Sequence, residues 1–219
     1  MRSDKINKIF QNLTSVILNP KTELKYQNPY TFLVSVVLSA QATDKSVNAA
    51  TKELFKIVKE PNDMIKLGEK KLKSYIKTIG LYNSKAKNII NLSKILIEKY
   101  NNQIPKNFES LTSLPGVGNK TASVYQNEIL NIPRIAVDTH VFRVSNRIGL
   151  VATKNPDDTQ KKLESIIPKK WLKSAHHLLI LHGRYTCKSQ NPFCAECVVL
   201  NFCEYKKKNE QNKKNISSK

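Results

Sequence analysis

Apolar residues recur along this chain with helical spacing and rarely alternate with polar ones. In two segments they fall close to positions i, i+3, i+4, i+7 and i+11, the stripe that an amphipathic helix buries. These segments are marked by Ile6, Ile9, Phe10, Leu13 and Ile17, and by Ala86, Ile89, Ile90 and Ile97 with Ser93 in the gap. Prolines stand between such segments, at helix starts or connections: Pro20, Pro29, Pro61, Pro105, Pro115, Pro133, Pro156 and Pro168. The pattern predicts an all-α protein.

One segment, residues 134–144, has the alternation of a strand, because Ile135, Val137, Thr139 and Val141 are spaced two apart. No partner strand is visible in the sequence, and an isolated strand cannot pair its backbone hydrogen-bonding groups. We therefore expect a loop that runs into a helix.

The segment LPGVGNKTASVYQ, residues 114–126, places two of the six glycines in one turn. We expect one helix to end at Pro115, Gly116 and Gly118 to form a tight turn with positive φ, and a second helix to follow. Backbone N–H groups at a helix N-terminus, with no Cβ in the way, can bind a phosphate. By itself, Gly-x-Gly before a helix also fits an ordinary turn.

All four cysteines lie within residues 187–203, as Cys187, Cys194, Cys197 and Cys203. The chain has neither the apolar run of a signal peptide nor one of 18 apolar residues. We therefore expect a cytosolic protein in which disulfides do not form. Four clustered thiolates suit either Zn²⁺ or a [4Fe–4S] cluster, and clustering alone does not choose between them.

The chain carries 37 basic and 17 acidic residues, a formal net charge of +20 at pH 7. This charge points to a polyanionic partner, of which nucleic acid is the first choice. A Lys- and Asn-rich composition that reflects a biased genome would give the same total, so the charge indicates a class of partner and no chemistry. Residues 204–219 are too polar to pack, and we expect them to form a basic, disordered tail.

Several stretches, spread over nearly the whole chain, point to one family. They are LSAQATDKSVN (38–48), GLYNSKAKNI (80–89), LPGVGNKTA (114–122), VDTHVFRVSNR (137–147), LILHGRYTC (179–187) and the cysteine cluster. Together they resemble the helix-hairpin-helix DNA glycosylases, and within that superfamily the endonuclease III family, whose iron–sulfur loop has the same cysteine spacing.

The resemblance implies two helical domains with a DNA-binding groove between them. A six-helix domain over residues 22–132 would contain the helix-hairpin-helix motif. Residues 1–21 together with 133–203 would form the second domain, in which the four cysteines ligate a [4Fe–4S] cluster.

The resemblance also implies the chemistry. Lys120, at the start of the second hairpin helix where the dipole disfavours a protonated amine, would attack C1′ of a damaged nucleotide and expel the base. The resulting Schiff base would lead to β-elimination, which nicks the strand on the 3′ side. Asp138 would stabilise positive charge on the sugar and help to move the lysine's proton. Without the resemblance, Lys120 is a solvated surface charge and Asp138 is the N-cap of a helix that starts at Thr139.

Other residues would handle the extruded nucleotide. By the resemblance, Gln41 would fill the gap in the base stack, Leu81 would wedge the opposite strand, and Ser39 and Asp44 would line the lesion pocket. The DNA backbone would be contacted by His140 and by the hairpin residues Gly116, Val117 and Gly118. From residue type alone, Leu81 also fits core packing, and Gln41 and Asp44 fit capping or surface positions.

Three functions compete at this point. Lys120 favours a bifunctional glycosylase and AP lyase for oxidised pyrimidines such as thymine glycol. We expect this enzyme to act as a monomer on double-stranded DNA that contains damaged pyrimidines or abasic sites. Its place would be the cytoplasm, in association with the nucleoid. An adenine-mismatch glycosylase lacks that lysine and carries a further C-terminal domain, for which we expect no room in the sixteen residues after Cys203. A non-enzymatic DNA clamp would need neither Lys120 nor Asp138.

Overall fold

The computed structural model of the protein describes residues 3–206, and within these residues it contains ten α-helices and no strand. The prediction of an all-helical protein is therefore confirmed for this part of the chain. The first residues of the tail expected over 204–219 contact the rest of the chain, because Lys5 Nζ lies 2.9 Å from the Oε1 of Glu204 and Arg147 lies over the ring of Tyr205. The part of the tail after Lys206 lies outside the described residues. None of the helices within residues 3–206 has the length and apolar character that a membrane crossing requires.

The helices fall into two compact units. The unit Glu23–Asn131 holds α2 (Pro29–Leu38), α3 (Asp44–Ile57), α4 (Pro61–Ile76), α5 (Tyr82–Tyr100), α6 (Phe108–Thr112) and α7 (Asn119–Glu128). The rest of the described chain forms the other unit, with α1 (Ser3–Val16), α8 (Thr139–Ile148), α9 (Pro156–Ile166) and α10 (Lys169–Tyr185). Two short 3₁₀ helices follow, Cys194–Glu196 and Leu200–Phe202.

Helix starts follow the prolines and the capping residues. Pro29, Pro61 and Pro156 each occupy the first position of a helix, where the missing N–H is not needed. Asn28 caps α2 by accepting a hydrogen bond of 2.9 Å from the backbone N–H of Thr31. The predicted role of these prolines at helix starts is confirmed.

Helix α2 is the centre of the unit Glu23–Asn131. It is apolar on nearly every side, and all of its residues from Tyr30 to Leu38 are buried, as expected for a helix without a polar face. Its tyrosine hydroxyl lies 2.6 Å from the Oγ of Ser93, which explains the polar gap in the apolar pattern of α5. Because α2 is enclosed, the residue at which it ends is fixed in space.

The other unit is built on α1, α8 and α10. Four residues of the predicted apolar stripe, Ile6, Ile9, Phe10 and Leu13, are buried in α1, whereas Ile17 follows the helix end and is half-buried. Phe10 stacks on Trp171 of α10 with ring centroids 5.9 Å apart. Gly183 of α10 lies so close to α8 that a Cβ on it would be 2.9 Å from the Cβ of His140. Glycine thus permits the close approach of α8 and α10.

Candidate functional site

The hairpin of residues 114–118 begins earlier than the sequence indicated. The first helix, α6, ends at Thr112 and not at Pro115. Leu114 precedes a proline, which disfavours helical dihedrals at that residue, and its backbone N–H bonds the carbonyl of Leu111 in a turn. The predicted helix, with Leu114 as its last residue before Pro115, is therefore two residues too long.

The two hairpin glycines have different conformations. Gly116 has φ +81°, as predicted, and a Cβ there would lie 3.1 Å from the Cβ of Asn88 and 3.2 Å from a methyl carbon of Val37. Glycine at this position is needed for the turn and for its packing on α2 and α5. Gly118 has φ −90° and ψ 179°, so the prediction of positive φ there is wrong. Its extended backbone is the usual one for an N-cap residue, because α7 begins immediately after it.

The hairpin presents unsatisfied donors next to a lysine. Gly118 caps α7 without a side chain, so no side-chain hydrogen bond covers the first N–H groups of the helix. The buried Val117 fixes the turn from below, with its N–H 3.0 Å from the carbonyl oxygen of Leu114. Lys120 is exposed at the second position of α7, whereas all seven residues Thr121–Asn127 are buried. A rigid helix N-terminus with a free-standing amine can bind an anion.

Gln41 and Leu81 share an unusual backbone conformation. Their φ angles are +54° and +60°, in the left-handed region that L-residues other than glycine rarely adopt. Both side chains are exposed, and Leu81 keeps 59% of its surface accessible. The interpretation of Leu81 as core packing is therefore wrong. Strain of this kind, about 1–2 kcal/mol per residue, is typical of functional sites.

The two loops that carry these residues are neighbours. A Cβ on Gly80 would lie 3.9 Å from the carbonyl oxygen of Gln41. Ser39, at the end of α2, donates its hydroxyl to the carbonyl of Val36 at 2.8 Å. Asp44 begins α3 after the N-cap Thr43. The structure therefore brings Gln41 and Leu81 together and places Ser39 and Asp44 on either side of Gln41 along the chain.

Lys85 is a site residue that sequence reasoning missed. It is buried, with 5% of its surface exposed, and its Nζ donates to the carbonyl oxygens of Leu38 at 3.0 Å and Ala40 at 2.6 Å. Burial lowers the pKa of the Lys85 ammonium below its usual range. The sequence does hold a signal for this burial, because Lys85 lies four residues before Ile89, on the helix face where an apolar residue is expected.

Asp138 belongs to the other unit, where it stands directly before α8. Residues 131–138 form a loop and α8 begins at Thr139, so the predicted loop into a helix is confirmed. Asp138 is the N-cap, and its Oδ1 accepts a hydrogen bond of 2.8 Å from the N–H of Val141. The capping interpretation is thus confirmed, and the cap fixes the direction of a half-buried carboxylate at the helix N-terminus.

Arg143 connects α8 with α10 and with the cysteine loop. Its Nη2 lies 3.2 Å from the Nδ1 of His140, and it donates to the carbonyl oxygens of Gly183 at 2.9 Å and Cys187 at 3.1 Å. One turn later, Arg147 donates to the carbonyl oxygen of Lys188 at 2.7 Å. Sequence reasoning missed both arginines, because their acceptors are backbone carbonyls that only the fold brings close.

The four cysteines are gathered in one pocket. No disulfide joins any of them, and the pocket also has apolar walls formed by Ile148, Val199 and Leu200. Burial, with a contribution from the other cysteines, raises the pKa of the Cys197 thiol to about 11. Within residues 3–206, no group of three or more His, Cys, Asp or Glu side chains could hold a single metal ion.

N–H groups lie close to two of the four sulfur atoms. Arg147 Nη1 lies 3.7 Å from the Sγ of Cys187, and the backbone N–H of Tyr205 points to the Sγ of Cys203 at 3.5 Å. Such donors stabilise thiolates, which are the form that binds metal. Four thiols, an apolar wall and N–H donors to sulfur form a donor set that fits an iron–sulfur cluster.

Comparison with known proteins supports a single class. Residues 34–169 match the model of the HhH-GPD superfamily of base excision DNA repair proteins. Endonuclease III of Rickettsia conorii is 54% identical over 205 residues, covering 94% of this chain and 98% of the relative. Endonuclease III of Escherichia coli K12 is 48% identical over 190 residues, covering 87% and 90%.

A solved structure agrees over the full length. A trapped endonuclease III–DNA covalent intermediate covers 99% of each chain with a TM-score of 0.89 at 39% identity. The chain belongs to the HhH-GPD superfamily and, within it, to the endonuclease III family. It is a base excision repair enzyme with DNA glycosylase and AP lyase activity, so of the three functions weighed on the sequence the bifunctional one is confirmed.

Proposed function

We propose that Lys120 is the nucleophile with which this chain removes oxidised pyrimidines from double-stranded DNA and nicks the strand at the abasic site. The observation that carries this proposal is the exposed amine of Lys120 at the N-terminus of a helix whose next seven residues are buried. The similar endonuclease III structure is a covalent intermediate with DNA, and a protein nucleophile accounts for such a species. The protein acts as a monomer in the cytoplasm, on the DNA of the nucleoid.

The reaction follows from an unprotonated Lys120 amine. Its lone pair forms a bond to C1′ of the damaged nucleotide while the bond from C1′ to the base breaks, and the base leaves with the bonding electrons and takes up a proton. Opening of the sugar ring gives a Schiff base between the lysine nitrogen and C1′. Loss of a proton from C2′ then expels the 3′ phosphate and breaks the strand.

Asp138 serves the same reaction through its charge. The hydrogen bond from Val141 holds the carboxylate in one orientation, so little reorganisation is needed when positive charge develops on the sugar. The carboxylate also accepts and returns the proton of the Lys120 amine. Capping and catalysis are compatible, because the cap occupies Oδ1 and a carboxylate has two oxygens.

The remaining residues bind and distort the DNA. The hairpin residues Gly116, Val117 and Gly118 bind the DNA backbone without reading sequence. The N–H groups of Gly116 and Gly118 donate to phosphate, and Val117, whose own N–H bonds Leu114, holds the turn in place. His140, held by Arg143, contacts the backbone as well. Gln41 fills the space left by the extruded nucleotide and Leu81 enters the opposite strand. Ser39 and Asp44 line the pocket that receives the damaged base.

The four cysteines hold a [4Fe–4S] cluster. Their shared pocket and the N–H donors around the sulfur atoms support this cofactor. Ligation by four cysteines would leave the cluster no open position for substrate, so the group would serve the fold by joining the two ends of the loop of residues 187–203. Arg143 and Arg147 connect this loop to α8, the helix that Asp138 caps.

Replacing Lys120 with glutamine tests the proposal. The variant keeps the hairpin glycines and the approximate length of the side chain but loses the amine. It should bind duplex DNA with thymine glycol, yet release no base at a measurable rate and give no covalent complex after borohydride reduction. Lys87→Gln is the matched control, since Lys87 is an exposed lysine of α5; this variant should behave like the parent.

Asp138→Asn should differ in kind. Base release should slow by about 10²–10⁴-fold, whereas trapping on a preformed abasic site should persist, because there the Schiff base needs only the amine. Efficient trapping of Lys120→Gln would refute the proposal. Loss of all DNA binding in that variant would refute it in another way, since Lys120 would then be a phosphate contact.

A further inference from the structure

Lys85 is buried under the two strained loops that carry Gln41 and Leu81. Within residues 3–206 it is the one Lys, Arg, Asp or Glu side chain that is buried, and no acidic side chain of that range forms an ion pair with it. Removing an ammonium group from water is unfavourable unless hydrogen bonds compensate for the loss. A residue retained at this cost needs a local reason.

The acceptors of Lys85 supply that reason. The carbonyl of Leu38 belongs to the last turn of α2, where carbonyls have no intrahelical partner and the helix dipole is negative. The carbonyl of Ala40 belongs to the peptide unit that enters Gln41. Because an ammonium bond of 2.6 Å holds this carbonyl, it restricts the rotation that sets φ of Gln41 at +54°.

The backbone of Lys85 acts on the other loop. Its N–H donates to the carbonyl oxygen of Leu81 at 3.0 Å, which closes the first turn of α5 directly after the left-handed residue. One residue therefore bonds the peptide next to Gln41 through its side chain and Leu81 through its backbone. The loops lie next to each other here, because a Cβ on Gly80 would reach the carbonyl oxygen of Gln41 at 3.9 Å.

We propose that Lys85 is the positioning residue that holds Gln41 in its strained conformation beside Leu81, so that the two can enter DNA together when a nucleotide is extruded. This inference rests on the proposed function of Gln41 and Leu81. Lys85 touches neither substrate nor reacting atoms. It acts on the extrusion step through the carbonyl of Ala40.

The test is a double-mutant cycle with Lys85→Met and Gln41→Ala. Methionine keeps the unbranched shape of the lysine side chain and removes the ammonium. In the parent background, Lys85→Met should slow single-turnover release of thymine glycol from duplex DNA by about ten- to a hundredfold, as expected for losing hydrogen bonds from a charged donor. In the Gln41→Ala background, the same change should slow release by less than about twofold, because the residue it positions is already gone.

Cleavage of single-stranded DNA with a preformed abasic site provides the second readout. No opposite strand has to be displaced there, so Lys85→Met should remain within about twofold of the parent. Lys87→Met, two residues along the same helix and exposed, is the matched control and should leave both assays unchanged. If Lys85→Met does not fold, the same double-mutant cycle can be measured with Lys85→Gln, which keeps a donor for one carbonyl.

Additive effects of the Lys85 and Gln41 changes would overturn the inference, and so would an equal loss on single-stranded abasic DNA, since either result would show a general structural role. Failure of the proposed function is separate. It would appear as release of thymine glycol by Gln41→Ala at the rate of the parent, or as borohydride trapping of Lys120→Gln, whatever the Lys85 variants do.

Discussion

Leu81→Gly should give a more stable protein than Leu81→Ala, the reverse of the usual order. The reason is the backbone at this residue, with φ +60° and ψ 26°. Any residue with a Cβ loses about 1–2 kcal/mol in this conformation, and glycine does not. Glycine loses about 0.5–1 kcal/mol more than alanine through the greater freedom of its unfolded chain. The difference favours Leu81→Gly over Leu81→Ala by roughly 0.5–1 kcal/mol.

Urea unfolding followed by circular dichroism measures this difference, because both variants lose the same exposed side chain. The control pair is Lys87→Gly and Lys87→Ala in the interior of α5, where alanine should be the more stable by about 1 kcal/mol. Both Leu81 variants should release thymine glycol equally slowly, since both lack the side chain that we propose enters the opposite strand. If alanine is the more stable residue at position 81 as well, the left-handed conformation is not held in solution and the strain argument fails.

Two further predictions concern the other unit. Gly183→Ala should destabilise the protein by about 1–2 kcal/mol in the same unfolding assay. The reason is that the new Cβ would lie 2.9 Å from His140 and 3.1 Å from Val144 and would overpack the contact between α8 and α10. Helix propensity alone predicts a gain in stability, and such a gain would contradict this expectation. Purified protein should be yellow-brown and contain about four iron atoms and four sulfides per chain, and metal analysis that finds one zinc and no iron would refute the cluster.

The helices could be predicted from the sequence because their signal is local. A stripe of apolar residues at helical spacing, a proline at the first position and a capping side chain all lie within a few residues of the element they define. The loop before Asp138 was predictable for the opposite reason, because a strand needs a partner and none was available. The end of α6 differs from the prediction because Leu111 and Leu114 have helical spacing, whereas Pro115 disfavours helical dihedrals at Leu114.

The residue types of the candidate site are visible in the sequence, whereas the contacts that hold these residues in place are not. Lys120, Asp138 and the cysteines stand in stretches with recognisable spacing. Lys85 stands in such a stretch too, but its acceptors are backbone carbonyls 45 and 47 residues away along the chain. Backbone carbonyls are the same in every residue, so no side-chain pattern marks them, and contacts of this kind emerge only when the helices pack.

In the unit Glu23–Asn131, loop residues with strained dihedrals lie next to a rigid buried helix, and that helix maintains the strain. Leu81 is the N-cap of α5, and Gln41 lies in the short turn that follows α2. At both places a buried helix on one side can impose a strained dihedral. Helix α2 supplies that rigidity because every residue from Tyr30 to Leu38 is enclosed, and Lys85 transmits it across its two carbonyl bonds. A loop relaxed in the free protein would have to be ordered when DNA binds, at an entropic cost to affinity. A loop ordered in advance bears its strain in the free protein instead. Under the function proposed above, the binding energy from the hairpin would then remain available to extrude the damaged nucleotide.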